Sequence, residues 1–217
     1  ILVLFNIGIL NIYSQNFSIG VYSGYGNYDL SNIKQMQQQA LSYYSPLEIK
    51  SVERFPDYIN YSVTLEYNTI KKYSWGLDLA YFSTGARNHL LDYSGDYKLD
   101  MHVSAYRLGA LFKKSYPLIK NLSLYYNIET GLVYSNFKFD EKITINNVDS
   151  VDYNYNTKSN AFFIEPTIGA SYYLGLNFSI DANVGYQADI NSRFITKKDS
   201  YIYWSGFRFL VGVNYNL

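Results

Sequence analysis

From Phe17 onward the chain alternates, residue by residue, between large apolar side chains and small or polar ones, and it does so in eight separate segments. Successive strand residues point to opposite faces, so a period of two reads as β-structure with two unlike faces. The segments are 17–25, 58–67, 73–81, 106–112, 122–135, 161–175, 178–186 and 203–215. In the first, Phe17, Ile19, Val21 and Tyr25 share one face, and Ser18, Gly20, Tyr22 and Gly24 the other. In the third, Tyr73, Trp75, Leu77, Leu79 and Tyr81 oppose Ser74, Gly76, Asp78 and Ala80. The apolar faces carry almost no charge, and most segments approach the ~9–11 residues that a tilted strand needs to cross a bilayer.

Two regularities decide which solvent meets which face. Gly20, Gly24, Gly76, Gly109, Gly131, Gly169, Gly185, Gly206 and Gly212 all fall on the polar face. The narrow interior of a small barrel needs small residues beside large ones, whereas its outside has room for aromatics. The connections also alternate: 27–57, 83–99, 139–160 and 190–200 are long, while 68–72, 113–121 and 175–177 are short. Long loops at one end and short turns at the other are the pattern of transmembrane barrels, with the long loops outside the cell. A soluble lipocalin-like barrel would put its apolar face inside and charge outside, and these aromatics are too bulky for an eight-stranded interior. The fold class expected is all-β: an eight-stranded antiparallel up-and-down transmembrane β-barrel with long external loops.

Composition agrees. Aromatic residues make up 19% of the chain, with 26 Tyr among them. Tyrosine suits positions with one wet and one apolar end, as in membrane aromatic belts. Lys plus Arg and Asp plus Glu both total 18, so no net field points to nucleic acid. Cysteine is absent, which removes disulfides and thiolate metal sites. The stretch "ILVLFNIGILNIYSQ" reads as the truncated remnant of a secretory signal over 1–15, leaving 16–217 as the barrel domain.

The strand "FIEPTIGASYYLG", the remnant's "YSQ", and the segment Tyr81 to Phe112 with its "STGAR", "DYSG" and "YRLG" elements resemble the Bacteroidetes outer-membrane barrels of the porin and PorT-like type. That resemblance covers the mature chain. It implies a Gram-negative outer-membrane location and this architecture more than any activity. The chain departs from many such barrels at its end, "VGVNYNL", which lacks a terminal aromatic.

Strand parity places Glu66, Asp78, Glu129, Glu165 and Asp181 in the lumen with Arg107 and Arg208. Buried charges must pair, and an Arg fork can bridge two carboxylates, so an internal ion-pair network is expected. Five acids against two bases leave a surplus of three negative charges. Pro166 faces outward and, lacking an N–H, predicts a local gap in the strand ladder or a bulge.

The external segment "STGARNHLLDYSGDYKLD" holds Ser83, Thr84, Gly85, Arg87, His89, Asp92, Tyr93, Ser94, Gly95, Asp96 and Asp100, with His102 just after it. An enzyme reading joins His89 or His102 to Ser94 or Ser104 and Asp92, as in a hydrolase or acyltransferase of outer-leaflet lipid. The plainer reading is a shaped loop over the barrel mouth in which Arg87 pairs with Asp92 or Asp96. The aspartate spacing does not suit a calcium loop, and no metal or cofactor is expected. In the first loop, Ile33, Met36, Ala40 and Tyr44 follow Ser31 at helical spacing, which predicts a short helix over the barrel end. The third loop keeps alternating around Asn146 and Asn147, which predicts a hairpin extending beyond the membrane. The sequence thus points to a non-enzymatic barrel in contact with membrane lipid, binding a protein or glycan partner through its external loops. The alternatives are the lipid enzyme and a component of outer-membrane assembly or secretion.

Overall fold

The computed structural model describes residues 16–43, 58–69, 72–91, 93, 95–145, 148–190 and 202–217; residues 1–15, expected to be a signal remnant, and Tyr44, Asp92, Ser94, Asn146 and Asn147 lie outside them. Eight antiparallel strands follow one another: β1 (Phe17–Gly26), β2 (Tyr58–Asn68), β3 (Tyr73–Leu91), β4 (Gly95–Ile119), β5 (Leu122–Ile145), β6 (Val148–Gly175), β7 (Phe178–Ile190) and β8 (Gly206–Asn216). Each strand pairs with its sequence neighbours and β8 returns to β1, closing the ring in the expected up-and-down order.

Closure satisfies the backbone of the wall and turns the apolar residues outward. Val21, Leu65, Leu77, Leu108, Ile168, Val184 and Val211 are exposed around the ring. Two rows of aromatics bound this belt. One runs through Tyr25, Tyr61, Tyr81, Tyr106, Tyr134, Phe162, Tyr186 and Phe207, and the other through Tyr67, Trp75, Tyr126, Tyr172, Phe178 and Tyr215. Neighbouring rings touch across strands, with Trp75 and Phe112 at 4.5 Å, Phe178 and Tyr215 at 4.8 Å, and Tyr81 and Tyr106 at 5.0 Å between centroids. On β5 the two rows stand at Tyr126 and Tyr134 and on β7 at Phe178 and Tyr186. That separation is about 26 Å along a strand, or about 20 Å along the axis of a barrel tilted by ~40°, close to the height of a membrane-facing band. An apolar surface this continuous has no place in water.

Beyond the upper row the wall does not break into a loop, which corrects the reading of 83–99. β3 and β4 stay paired as far as Leu91 opposite Asp96. Residues 113–121 are likewise mostly strand, since β4 runs to Ile119 and turns through Lys120 and Asn121. The hairpin expected about Asn146 and Asn147 is present, β5 reaching Ile145 and β6 starting at Val148. Strands β3 to β6 therefore continue for roughly 30 Å past the aromatic row.

The apolar face changes sides at that row. Below it Leu108 and Tyr106 point outward; above it His102 and Lys98 do, while Val103, Met101 and Leu99 turn inward and are buried. The inward residues join a core with Phe82, Phe137, Phe163 and Trp204. Helix α1 (Ser31–Tyr43) covers it. The helix buries Ile33, Gln37 and Leu41, while Met36, expected on its apolar face, is exposed. Gln37 Nε2 donates to Asn88 Oδ1 on β3 at 2.6 Å, tying helix to wall.

The glycines on the inner face have a steric reason at one place above all. Gly109 and Gly131 lie directly opposite each other on β4 and β5. A Cβ on Gly131 would stand 2.0 Å from the Leu108 carbonyl oxygen and 2.7 Å from Gly109 Cα. Because backbone cannot step aside cheaply, Gly131→Val is expected to destabilise the barrel by about 1–3 kcal/mol. The check is the urea midpoint for loss of the compact, faster-migrating band on unheated gels.

Candidate functional site

The lumen between the belt strands is filled in layers. At the turn end, Lys113 lies 3.0 Å from Glu66 and 3.9 Å from Asp181. Asp181 also accepts from Asn214 Nδ2 at 2.6 Å and from the Tyr22 hydroxyl at 3.3 Å. In the middle, Arg107 reaches Asp78 at 2.9 Å and Glu129 at 3.2 Å and bonds to Glu165 through its other terminal nitrogen. Arg208 stands 3.7 Å from Glu165 and donates to Gln187. Both guanidiniums then stack against the aromatic core above, Arg107 at 4.9 Å from the Phe163 ring and Arg208 at 4.6 Å from that of Phe82.

All seven lumen residues named from strand parity, Glu66, Asp78, Arg107, Glu129, Glu165, Asp181 and Arg208, are thus inside the barrel and buried. Lys113 is the one that sequence reasoning placed elsewhere, in a turn. It sits on β4 with the parity of Arg107, Gly109 and Leu111, one residue past the end of the alternating segment 106–112. Its charge reduces the surplus, leaving five carboxylates to three bases. Thr64 Oγ1, Asn127 Oδ1 and Glu129 Oε1 have no protein partner, and they face a cavity of about 40 Å³, room for only two or three waters. Pro166 faces outward, and the β6–β7 ladder skips Glu165 and Pro166 between Ile164 and Thr167 without shifting register.

The aromatic core packs across the lumen above the ion pairs. Trp204 is fully buried, with its indole Nε1 donating to Ser135 Oγ at 2.8 Å and its ring edge-on to Tyr28 at 4.9 Å and to Phe82 at 4.7 Å. Asp189 accepts from the Trp204 backbone N–H at 2.5 Å and from Gln187 Nε2 at 2.5 Å, joining this stopper to the polar layer. Alternation in the segment 203–215 carries a signal for its outward aromatics but none for Trp204.

Among the described residues, the hairpin's polar side chains pair separately rather than converging on one point. Arg87 pairs with Asp100, its Nε 2.5 Å from Oδ1, rather than with Asp96, and Asp92 lies outside the described residues. Asp96 instead lies 2.8 Å from His89 Nε2. His89 is opposite Lys98 and His102 opposite Gly85, so the two histidines stand two rungs, about 13 Å, apart on the outer face. Ser104 and Ser83 are opposite each other one rung from His102, Thr84 is buried inward, Tyr93 is fully exposed, and Gly95 opens β4.

Burial pushes the Asp100 carboxyl up, but hydrogen bonds from Arg87 and Lys98 outweigh it and hold the group below the usual carboxylate range. A depressed folded-state value stabilises the hairpin above the unfolded value of 3.8 and is lost as pH falls through the lower one. Amide protection factors in 87–100, that is, rates relative to the unstructured chain at the same pH, are therefore expected to hold steady down to about pH 4 and to fall below it, with Asp100→Asn removing that dependence.

Solved structures share this architecture. The chain aligns over 93% of its length with 97% of Neisserial surface protein A, at 13% identity and a TM-score of 0.46. It aligns over 94% with 98% of the N-terminal β-barrel domain of Pseudomonas aeruginosa OprF, at 16% identity and 0.43. It aligns over 92% with 96% of Ail, the attachment invasion locus protein of Yersinia pestis, solved with the heparin analogue sucrose octasulfate, at 15% identity and 0.39. These neighbours are eight-stranded outer-membrane β-barrels. No family model matches the chain, and no curated protein does.

Proposed function

We propose that this protein is a non-enzymatic outer-membrane β-barrel of the Bacteroidetes porin and PorT-like type, anchored by its belt and binding a protein or glycan partner through the β3–β6 hairpins, which stand outside the cell. The observation that carries this reading is the division of labour along β3 to β6. Within the belt the lumen is filled by ion pairs and capped by the Trp204 core, so it offers no path for solute. Beyond it the same strands raise a regular, core-backed surface, which a purely structural barrel does not need. An outer-leaflet lipid enzyme has less support, since His89 is engaged by Asp96 and His102 lies two rungs away.

Placing a cysteine at Tyr93 and labelling intact cells with an impermeant maleimide tests the orientation. Labelling only after lysis would reverse it. Unchanged lipid A and phospholipid mass spectra in a strain lacking the protein are expected. A lost modification restored by the wild type but not by a His89→Ala, His102→Ala double variant would install the enzyme instead.

A further inference from the structure

The outer face of β3 to β6 is ordered in rungs above the aromatic row. The row itself is Tyr81, Tyr106 and Tyr134, mutually paired. The next rung opposes Ser104, Asn136 and Lys158, and the one after it His102, Lys138 and Asn156. Asp100 and Asp140 come only on the third rung, where Arg87 and Lys98 hold Asp100. The first two rungs thus carry only basic charge: Lys158 diagonal to Lys138, and Lys138 directly opposite His102. Basic residues directly opposed on a sheet disfavour each other whenever both are charged, and diagonal neighbours lie about 7–8 Å apart. Neither lysine has an ion-pair partner among the described residues, and both are exposed on the outer surface.

Their height matters as much as their charge. Tyrosines of an aromatic row sit at the headgroup level of a bilayer. Two to four residues further along a tilted strand is about 5–10 Å higher, where headgroup phosphates lie and where lysine stems can lie along the wall with the ammonium in water. We infer that Lys138 and Lys158, with His102 beside them, form a binding site for the phosphate group of a phosphorylated membrane lipid. This rests on the belt being embedded with the hairpin end outward. The site would bind through charge, lysine acting as a point charge on phosphate, and would fasten one side of the barrel to its lipid at the level where the hairpins leave the membrane.

The test reconstitutes the full chain in vesicles of phosphatidylcholine containing a minority of phosphatidic acid, extracts it in mild detergent and measures the lipid retained by native mass spectrometry. Retention of phosphatidic acid over its bulk fraction is expected, falling by about fivefold for each of Lys138→Gln and Lys158→Gln and to the bulk ratio in the double variant. Lys142→Gln, two rungs further out, is expected to retain it. Heat-shifted gel mobility of each variant reports insertion separately: a variant that shifts normally but loses the lipid supports the site, whereas a wild type without the shift would remove the membrane reading itself. An inserted wild type with no enrichment, or a double variant that keeps it, overturns the proposal. So does equal binding of inorganic phosphate to the lipid-free protein, which would make it a general anion site.

Discussion

Arg107→Ala is expected to cost about 3–5 kcal/mol of barrel stability, the effect of leaving buried charge uncompensated. The variant would strand three carboxylates, Asp78, Glu129 and Glu165, which now converge on a single guanidinium in the middle of the lumen. Lys113 is committed to Glu66 and Asp181 nearer the turn end, and Arg208 reaches only Glu165, at 3.7 Å. Among the described residues, no other base pairs with all three. The loss belongs to the unpaired acids rather than to the pairing as such. Arg107→Met combined with Asp78→Asn, Glu129→Gln and Glu165→Gln is therefore expected to recover most of it, since a buried ion network can often be exchanged for neutral side chains at little net cost. Urea titration followed by gel mobility reads both. An alanine variant with the wild-type midpoint would mean that water, not Arg107, neutralises the layer.

What was legible in the sequence, and what was not, follows from how far alternation was trusted. Parity alone placed Glu165 inside and Pro166 outside, because in a closed ring every strand has one lumen and one outer face. The same parity, carried from Arg107 to Lys113, would have found the third base; it was stopped at Phe112 because Lys113 and Lys114 look like a turn. At the other end it was stopped at Tyr106, where the outward residues turn from Leu and Tyr to Ser104, His102 and Asp100. From sequence alone that change looks like the start of a loop. It marks the strand's exit from the apolar layer into water, where a soluble sheet's rule applies and the inward face, Val103, Met101 and Leu99, becomes the apolar one. The partners of Arg87 and Asp96 were out of reach for a related reason. Cross-strand register depends on where the hairpin turns, and a segment taken for a loop has no register.

Trp204→Ala is expected to remove about 3–5 kcal/mol, the range for deleting a large aromatic from a packed core, and yet to leave the barrel closed to ions. The indole is the centre of the stopper, edge-on to Tyr28 and Phe82 and bonded to Ser135. Removing it opens a void on the hairpin side of the lumen. The Arg107 and Arg208 layer lies beneath, and its contacts with Asp78, Glu129 and Glu165 do not pass through Trp204. Trp204→Phe keeps most of the ring and loses the bond to Ser135, so it should cost only about 0.5–1.5 kcal/mol. Planar-bilayer recordings separate the two layers: steady conductance in Trp204→Ala at the level of an open pore would show that the aromatic core, and not the ion-pair layer, is what seals the lumen. Silence in that variant, with a midpoint lowered as stated, places the seal at Arg107, one layer deeper than the residue whose loss does the visible damage.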